Sequence, residues 1–466
     1  MAPRRDHPSA GWTAAQAAAF APEPALSPDE ALAEATRCLQ CFDPPCQRHC
    51  PAGIAIPRFI RMIRSGNLGS AAEVVRSANP LAGSCGLACP DEQYCAAACT
   101  RARIDRPIAI RRLHRHATEA GETLGARPVR SAERLGCRVA VVGAGPAGLA
   151  CAGELWRLGI DVDIHEARAR AGGVLAHAIP AYRFADRALA GDVRWIAPEE
   201  RAGGAGSTRR RVARGPASLR ILDGRPVRDL AALAARYDAL YVAPGAVARQ
   251  PALPGAELRG VSSALEFLER CRRRNYRNPV GRSVVVIGGG NVAVDAAMAA
   301  VRCGLNGSDA AGTAVHLVYR RERAAMPAWD REIREAERVG VQLHLQVAPI
   351  AIEGDRGRVA GIRLQRTRPG APDRSGRPRP VAVPGDELAL ACDRVLLATG
   401  LEPPALADQL PRSRARWIRV QPATGLVRDN VYAGGDAVGS DQTIVAAVRD
   451  GKAAARAIAA RLRRSR

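Results

Sequence analysis

Arg138-Val-Ala-Val-Val-Gly143-Ala-Gly145-Pro-Ala-Gly148 decides the fold of this chain. Its run of apolar residues, closed by a glycine, predicts a short buried strand. The glycines that follow keep the spacing Gly-x-Gly-x-x-Gly. Gly143 permits a tight turn, Gly145 lets the backbone approach a pyrophosphate, and Gly148 lets helix and strand pack closely. The helix predicted over 147–158 turns its N-terminus toward negative phosphates. Val162-Asp-Ile-His-Glu166 is the second strand of a β-α-β unit. Glu166 closes it 23 residues after Gly143, where a carboxylate accepts both hydroxyls of a dinucleotide ribose. The bland alternative is an unliganded α/β domain with a glycine turn.

The pattern then repeats. Ser283-Val-Val-Val-Ile287 predicts a strand and Gly288-Gly289-Gly290-Asn291-Val-Ala293 a second glycine turn. A helix over 291–303, a polar loop at Gly304–Gly312 and a strand at Val315–Tyr319 complete that unit. No acid ends this strand. Arg320 and Arg321 stand there instead, and arginines at that place neutralise a 2′-phosphate, which favours NADP over NAD. The rival reading makes them two of many solvent arginines, with Glu322 as a partner. Hairpin-like strands are expected at 341–366 and a basic, Pro/Gly-rich loop at 368–385. Arg394–Gly400 reads as a buried strand ending in glycine, followed by Val431-Tyr-Ala-Gly-Gly-Asp436 and a last helix over about 442–462. The first nucleotide domain is thus interrupted by the second and resumes at the C-terminus.

Ahead of both units lie eight cysteines in two quartets, Cys38-x2-Cys41-x4-Cys46-x3-Cys50-Pro51 and Cys85-x3-Cys89-Pro90-x4-Cys95-x3-Cys99. Thiolates this dense in a long chain are metal ligands more often than disulfides. A Cys-Pro closing a short run is the habit of iron–sulfur ligation. Zinc ribbons prefer paired Cys-x2-Cys units, and only Cys38 and Cys41 fit that spacing. Clusters followed by two nucleotide sites describe a wire for electrons. Cys137, Cys151, Cys271, Cys303 and Cys392 are scattered singly and read as small buried hydrophobes. Neither nucleotide domain holds a Cys-x-x-Cys, which argues against dithiol chemistry of the thioredoxin-reductase type.

The 466 residues suit about three domains. No apolar run approaches the ~18 residues of a membrane span, so a cytoplasmic protein without membrane attachment is expected. Residues 1–27 read as a loose Ala/Pro-rich extension rather than an export signal. Ser27-Pro28-Asp29-Glu30 then starts a helix that runs into Cys38, with a further helix over 57–76. The net charge of +23 invites a nucleic-acid reading, but Lys452 is the one lysine among 69 basic residues. That skew is spread over the whole chain, and Arg209–Arg211 and Arg272–Arg274 lack interleaved aromatics, so no nucleic-acid partner is expected. The excess charge still suits an acidic protein partner or anionic cofactors.

The order of cysteine quartets, first glycine turn and interrupting second turn resembles the glutamate synthase small-subunit superfamily. The similarity is strongest to the flavin subunit of bacterial two-subunit dihydropyrimidine dehydrogenase. Arg37-Cys-Leu-Gln-Cys41, Asn79-Pro-Leu81, Cys99-Thr-Arg101, Ile179-Pro-Ala-Tyr-Arg183, Ala433-Gly-Gly-Asp436 and Asp450-Gly-Lys452 carry it, within roughly residues 28–466. Arg366 through Pro384 looks closer to the glutamate synthase branch. The resemblance implies an α/β architecture with an N-terminal helical iron–sulfur domain at 28–125. Two Rossmann-like domains follow, FAD-binding at 136–265 and 395–466, with the NAD(P)-binding one inserted at 266–394. It implies two 4Fe–4S clusters, one on Cys38, Cys41, Cys46 and Cys99. The other would use Cys50, Cys89, Cys95 and a non-cysteine ligand, a Gln or Glu in the family's segment matching Ile108–Leu113, for which His114 is the nearest candidate here; Cys85 would be a non-ligand. It places Gly143, Gly145, Gly148, Glu166, Gly173, Val174, Arg183, Gly435, Asp436 and Thr443 around FAD. Around NAD(P)H it places Gly288, Gly290, Asn291, Arg320, Arg321, Thr399 and Gly400.

The function implied is movement of electrons from NAD(P)H through FAD and two clusters to a partner. No general acid or base stands out as catalytic. The chain leaves no room for a further ~250-residue barrel, so the substrate chemistry is expected on another chain. By resemblance that chain is an FMN- and cluster-bearing subunit that reduces pyrimidines. Alternatives are a glutamate synthase small subunit, a diaphorase, and, remotely, a metal-bound nucleic-acid sensor, which salt-dependent DNA binding would mark. Two stretches depart from the family. Residues 197–220 read as an Arg/Gly-rich loop, and Pro244 replaces a small or β-branched residue; either is expected to disturb folding around the flavin.

Overall fold

The computed structural model describes residues 12–129, 131, 133–197, 217–307, 312–373 and 376–465. The chain folds into two compact units. One comprises Glu23–Ala176, Phe184–Val247 and the stretch from Glu402 onward; the other comprises Ala248–Leu401 with His177–Arg183 and residues 12–22. The second unit interrupts the first, but it begins at Ala248 and ends at Leu401 rather than at 266 and 394. The reason is Val261–Ser263, an edge strand that pairs with Arg394–Leu397 and so draws its flanks into that unit.

In the first unit the cysteine region is helical. Ser27 caps Pro28–Thr36 through a reciprocal capping box with Glu30, at 2.8 and 3.2 Å. The helix expected over 57–76 is two helices, Ile56–Arg64 and Leu68–Ala78. They break at Gly66, which takes a left-handed φ of +72°, and Asn67 caps the second. Ile56, Phe59, Ile60 and Ile63 form the buried face of the first helix. Ala82–Ala88 and Ile110–Thr123 pack beside them, and Arg76 forms a buried ion pair with Asp192 at 2.5 Å. The Asp192 carboxylate also accepts the Gly83 and Ser84 amides, so this charge is paired and hydrogen-bonded.

The same unit holds a six-stranded sheet, in the order 426–428, 431–433, 239–242, 138–142, 161–165, 219–222. Its pairings are parallel apart from the 426–428 edge. Leu219–Leu222 is a strand, so the end of the expected 197–220 loop is regular sheet; 198–216 lie outside the described residues, as does the Arg209–Arg211 run. Helix Pro146–Arg157 packs on helix Ile444–Arg464, where a side chain at Gly451 would meet the Ala147 carbonyl at 2.3 Å.

The second unit carries a five-stranded parallel sheet, ordered 261–263, 394–397, 283–287, 314–319, 341–345. An antiparallel sheet of Val347–Asp355, Arg358–Pro372 and Pro378–Ala391 adjoins it in sequence. The loop expected at 368–385 is therefore the end of a long strand pair, with Arg368 opposite Val381 and Pro369 opposite Pro380 across register shifts that tolerate proline.

The N-terminal extension is also ordered over its described part. Helix Ala14–Ala19 has a capping box between Thr13 and Gln16. Phe20 is buried between Trp12 and Tyr182, with ring centroids 5.6 and 5.0 Å away, and the Arg302 guanidinium lies over the Tyr276 ring at 4.5 Å. All five scattered cysteines are buried, but two are not solitary: Cys271 and Cys303 meet at 3.5 Å, with Asn278 Nδ2 donating to the Cys271 sulfur.

Candidate functional site

Cys38, Cys41, Cys46 and Cys99 line one cavity, closed by Pro44, Pro45, Ile56 and Ile60. This is the first quartet expected to share a cluster, drawn from both cysteine runs. Burial, reinforced by Cys99 and Cys38, pushes the Cys46 thiol up to about 12. The loop bearing Cys99 is fastened by a charge network: Arg37 binds Glu34 and Asp105, Arg101 binds Asp105, and Arg106 binds Glu34. Among the described residues no three His, Cys, Asp or Glu side chains converge closely enough to hold a single ion. Four thiols around a cavity, not around a point, match a polynuclear cluster better than mononuclear zinc.

The second group gathers around Cys50. Burial and then the neighbouring Cys85 and Cys95 raise the Cys89 thiol, and burial with Asp91 and Cys50 raises Cys95. Cys85, set aside from the sequence, stands in this group: it is buried, and Cys50 is among its charged neighbours. His114 is buried too. One side of its ring meets the Ala82 backbone, and Nε2 has no hydrogen-bond partner among the described residues. Burial, then the Arg76 charge, lowers its pKa to about 3, so the imidazole is neutral with a free lone pair. A buried orphan nitrogen is the state of a histidine ligand whose other nitrogen is fixed by a carbonyl.

In the same unit, Gly143 sits at φ +96°, where a side chain would meet the Ala243 carbonyl at 2.3 Å. A Cβ at Gly148 would fall 1.9 Å from the Gly143 carbonyl. At Gly145 the nearest atom is 3.9 Å away, the Gly173 Cα, so backbone borders open space. Gly145 caps helix Pro146–Arg157 without a side-chain acceptor, which leaves its first-turn amides to a phosphate. Glu166 accepts from the Ala144 amide at 2.7 Å and the Arg168 amide at 2.8 Å. It therefore shapes the turn first, and each oxygen retains an acceptor position for ribose. Pro244 stands directly against Gly143 at the end of strand Ala239–Val242, in a turn completed by Gly245 at φ +76°.

Val174 is partly exposed beside Gly173. Gly435, at φ +68°, lies over Ala147 and donates to Asp450 at 3.2 Å. Burial and the neighbouring Asp450 raise the Asp436 carboxyl to about 6. Thr443 caps helix Ile444–Arg464 and meets the Tyr94 hydroxyl at 3.1 Å. Tyr94 lies between Cys89 and Cys95, so the second cysteine group adjoins the first glycine turn's domain.

The second glycine turn is built alike within its own unit. Gly288 faces the Ala398 carbonyl, Gly289 lies under the Tyr319 ring, and Gly290 borders open space. Asn291 Oδ1 accepts the Trp329 amide at 3.1 Å, pinning the loop after Tyr319. The two arginines part company: Arg321 is buried and paired with Asp373 at 2.5 Å, while Arg320 is exposed. Thr399 and Gly400 flank Arg249, whose guanidinium donates to the Thr399 carbonyl at 3.0 Å. Arg249 was not legible as a site residue, because nothing in the sequence near it marks its pairing with a strand 150 residues on. Arg183, expected at the flavin, lies in this unit, ion-paired with Asp295 at 3.1 Å and with Glu332.

Residues 18–125 match the dihydropyrimidine dehydrogenase domain II 4Fe–4S family, and 137–451 match the pyridine nucleotide-disulphide oxidoreductase family. The chain is 33% identical to the NAD-dependent dihydropyrimidine dehydrogenase subunit PreT of Escherichia coli K12, over 93% of this chain and 95% of that one. It is 32% identical to the glutamate synthase [NADPH] small chain of Azospirillum brasilense, over 93% and 89%. Two further relatives are longer, and the chain spans 65% and 59% of their lengths. In fold it is similar to FprA of Mycobacterium tuberculosis in complex with NADPH, with a TM-score of 0.58 at 20% identity over 71% of this chain and 85% of that one. No helix among the described residues is long and apolar enough to cross a membrane. The cofactor set of this family, FAD, 4Fe–4S clusters and NAD(P)H, fits the two open glycine turns and the thiol-lined cavity. With both its segments matched and relatives aligned along nearly their whole length, the chain belongs to the pyridine nucleotide-disulphide oxidoreductase family, in the group that joins this fold to a dihydropyrimidine dehydrogenase-type 4Fe–4S domain.

Proposed function

We propose that this protein is an electron-input oxidoreductase that draws on NAD(P)H and delivers to an FMN- and cluster-bearing partner that reduces pyrimidines. Bound FAD supplies the exchange between a two-electron nicotinamide donor and one-electron clusters. The chain's own residues bind, fix and insulate. Gly145 and Gly290 admit pyrophosphates, Glu166 holds its turn, and Arg320 receives a 2′-phosphate. Cys38, Cys41, Cys46 and Cys99 hold one cluster; Cys50, Cys89, Cys95 and His114 hold the other.

The observation that carries the reading is the Tyr94–Thr443 contact. It fastens the segment between two second-group cysteines to the helix that closes the flavin domain. Anaerobic addition of NADPH or NADH is expected to bleach both flavin bands and the broad cluster absorbance. Uracil-dependent reoxidation is then expected once a pyrimidine-reducing subunit is added. Bleaching of flavin alone defeats the wire. The similarity to glutamate synthase small chains favours a second reading, in which a glutamate-forming subunit, not a pyrimidine-reducing one, reoxidises the protein.

His114→Ala is expected to lose the iron of one cluster while keeping the other, measured as iron per flavin. Full iron in that variant, with loss in Cys85→Ser, would transfer the fourth-ligand role to Cys85.

A further inference from the structure

Arginine supplies every basic side chain of this protein except one, Lys452. Lys452 is 6% exposed, and its ammonium donates to the Ala52 carbonyl at 3.2 Å and to the Ala78 carbonyl. Ala52 lies inside the turn closed by the Gly53 amide on the Cys50 carbonyl at 2.9 Å. Ala78 ends helix Leu68–Ala78, and the next residue, Asn79, is buried beside the Cys85 thiol. A compact ammonium with three rotatable donors satisfies both carbonyls from one buried point. The adjacent carboxylate, Glu154, acts on Lys452 but also binds Arg157 at 2.9 Å and Arg456 at 3.0 Å, whose charges offset it. Gly451, one residue earlier, marks where the same helix presses on the Ala147 carbonyl of helix Pro146–Arg157.

We propose that Lys452 is a positioning residue for the second cluster, its ammonium pinning the Cys50 turn and its buried charge raising that cluster's reduction potential. This rests on the reading above that Cys50, Cys89 and Cys95 hold a 4Fe–4S cluster. Reduction adds a negative charge to such a cluster, and net charge and hydrogen bonding near its sulfurs set the potential. While protonated, an ammonium in a low-dielectric interior favours the reduced form more than the same charge in water does. The consequence is directional. A raised potential on the cluster that adjoins the flavin domain draws single electrons off the flavin side and makes that cluster the place where they collect.

The test uses anaerobically purified holoprotein and EPR-monitored redox titration of both clusters. Lys452→Gln keeps N–H donors for both carbonyls and removes the charge. In that variant the reduced-to-oxidised ratio of one cluster, at fixed ambient potential, is expected to fall about tenfold, equivalent to 59 mV for a one-electron couple, while the other stays. Lys452→Met loses donors as well as charge, and is expected to lose iron from the same cluster. Two intact clusters with unmoved potentials in Lys452→Gln overturn the proposal alone. Wild-type protein that never holds more than one cluster overturns the cluster reading, and the proposal with it.

Discussion

Asp436 is protonated more readily than an ordinary carboxyl, at about 6, because it is buried and faces Asp450. Its folded pKa lies above the unfolded value, so between about 4 and 6 the unfolded chain ionises first and stability falls as pH rises. Above that window the cost to the flavin-free protein is on the order of 2–3 kcal/mol. Asp436→Asn is expected to remove this slope and to stabilise the flavin-free form at pH 7, as urea unfolding at pH 5 and pH 7 would report. At the nicotinamide turn, Arg320→Ala is expected to raise the KM for NADPH about tenfold, with that for NADH unmoved; equal effects on both would defeat the 2′-phosphate assignment. The sequence presented Arg320 and Arg321 as equals. Asp373, which occupies Arg321, lies 52 residues away, just past the end of strand Arg358–Pro372 in a stretch that reads as loop, so their spacing held no clue to the difference. His114 was legible only as a position; its orphan nitrogen is a property of the packed helices.

The glycine turns were legible element by element because backbone contact, not side-chain chemistry, dictates them. Gly148→Ala places a methyl against the Gly143 carbonyl, and helix Pro146–Arg157 must move off its strand. A loss of about 3 kcal/mol or more is expected, with loss of bound flavin, followed by thermal unfolding and visible absorbance. The helix Ala14–Ala19 was not legible, since its alanines lack an amphipathic period and its anchors, Trp12 and Phe20, flank it outside. Those anchors find Tyr182 and Tyr276, far along the chain, and Arg302 completes the stack. Phe20→Ala is expected to cost about 3 kcal/mol in the unit that spans Ala248–Leu401, measured by chemical unfolding. Equal stability of variant and wild type would return this segment to the status of a loose extension. The strands Arg358–Pro372 and Pro378–Ala391 were misread for a related reason: prolines that forbid a central strand are accepted where register shifts leave amides unpaired.

For the whole molecule, a charge of +23 is a statement about encounter, not about fold. Delivery of electrons to an acidic partner protein is expected to slow several-fold between 50 and 300 mM salt, while reduction of a neutral dye stays constant. Matching salt responses for both acceptors would remove charge from the account of partner choice. The order of parts was legible over the whole chain because each nucleotide unit repeats one strand–turn–helix signature. The junctions were less so, since Val261–Ser263 is too short to announce which sheet it joins.

The burial of Lys452 has a practical side. Amine-reactive esters, the usual reagents for immobilising and crosslinking proteins, find no accessible lysine side chain in these 466 residues. Lysine-directed crosslinking with a partner would return nothing from this side, and carboxylate- or arginine-directed chemistry would be needed to map the contact.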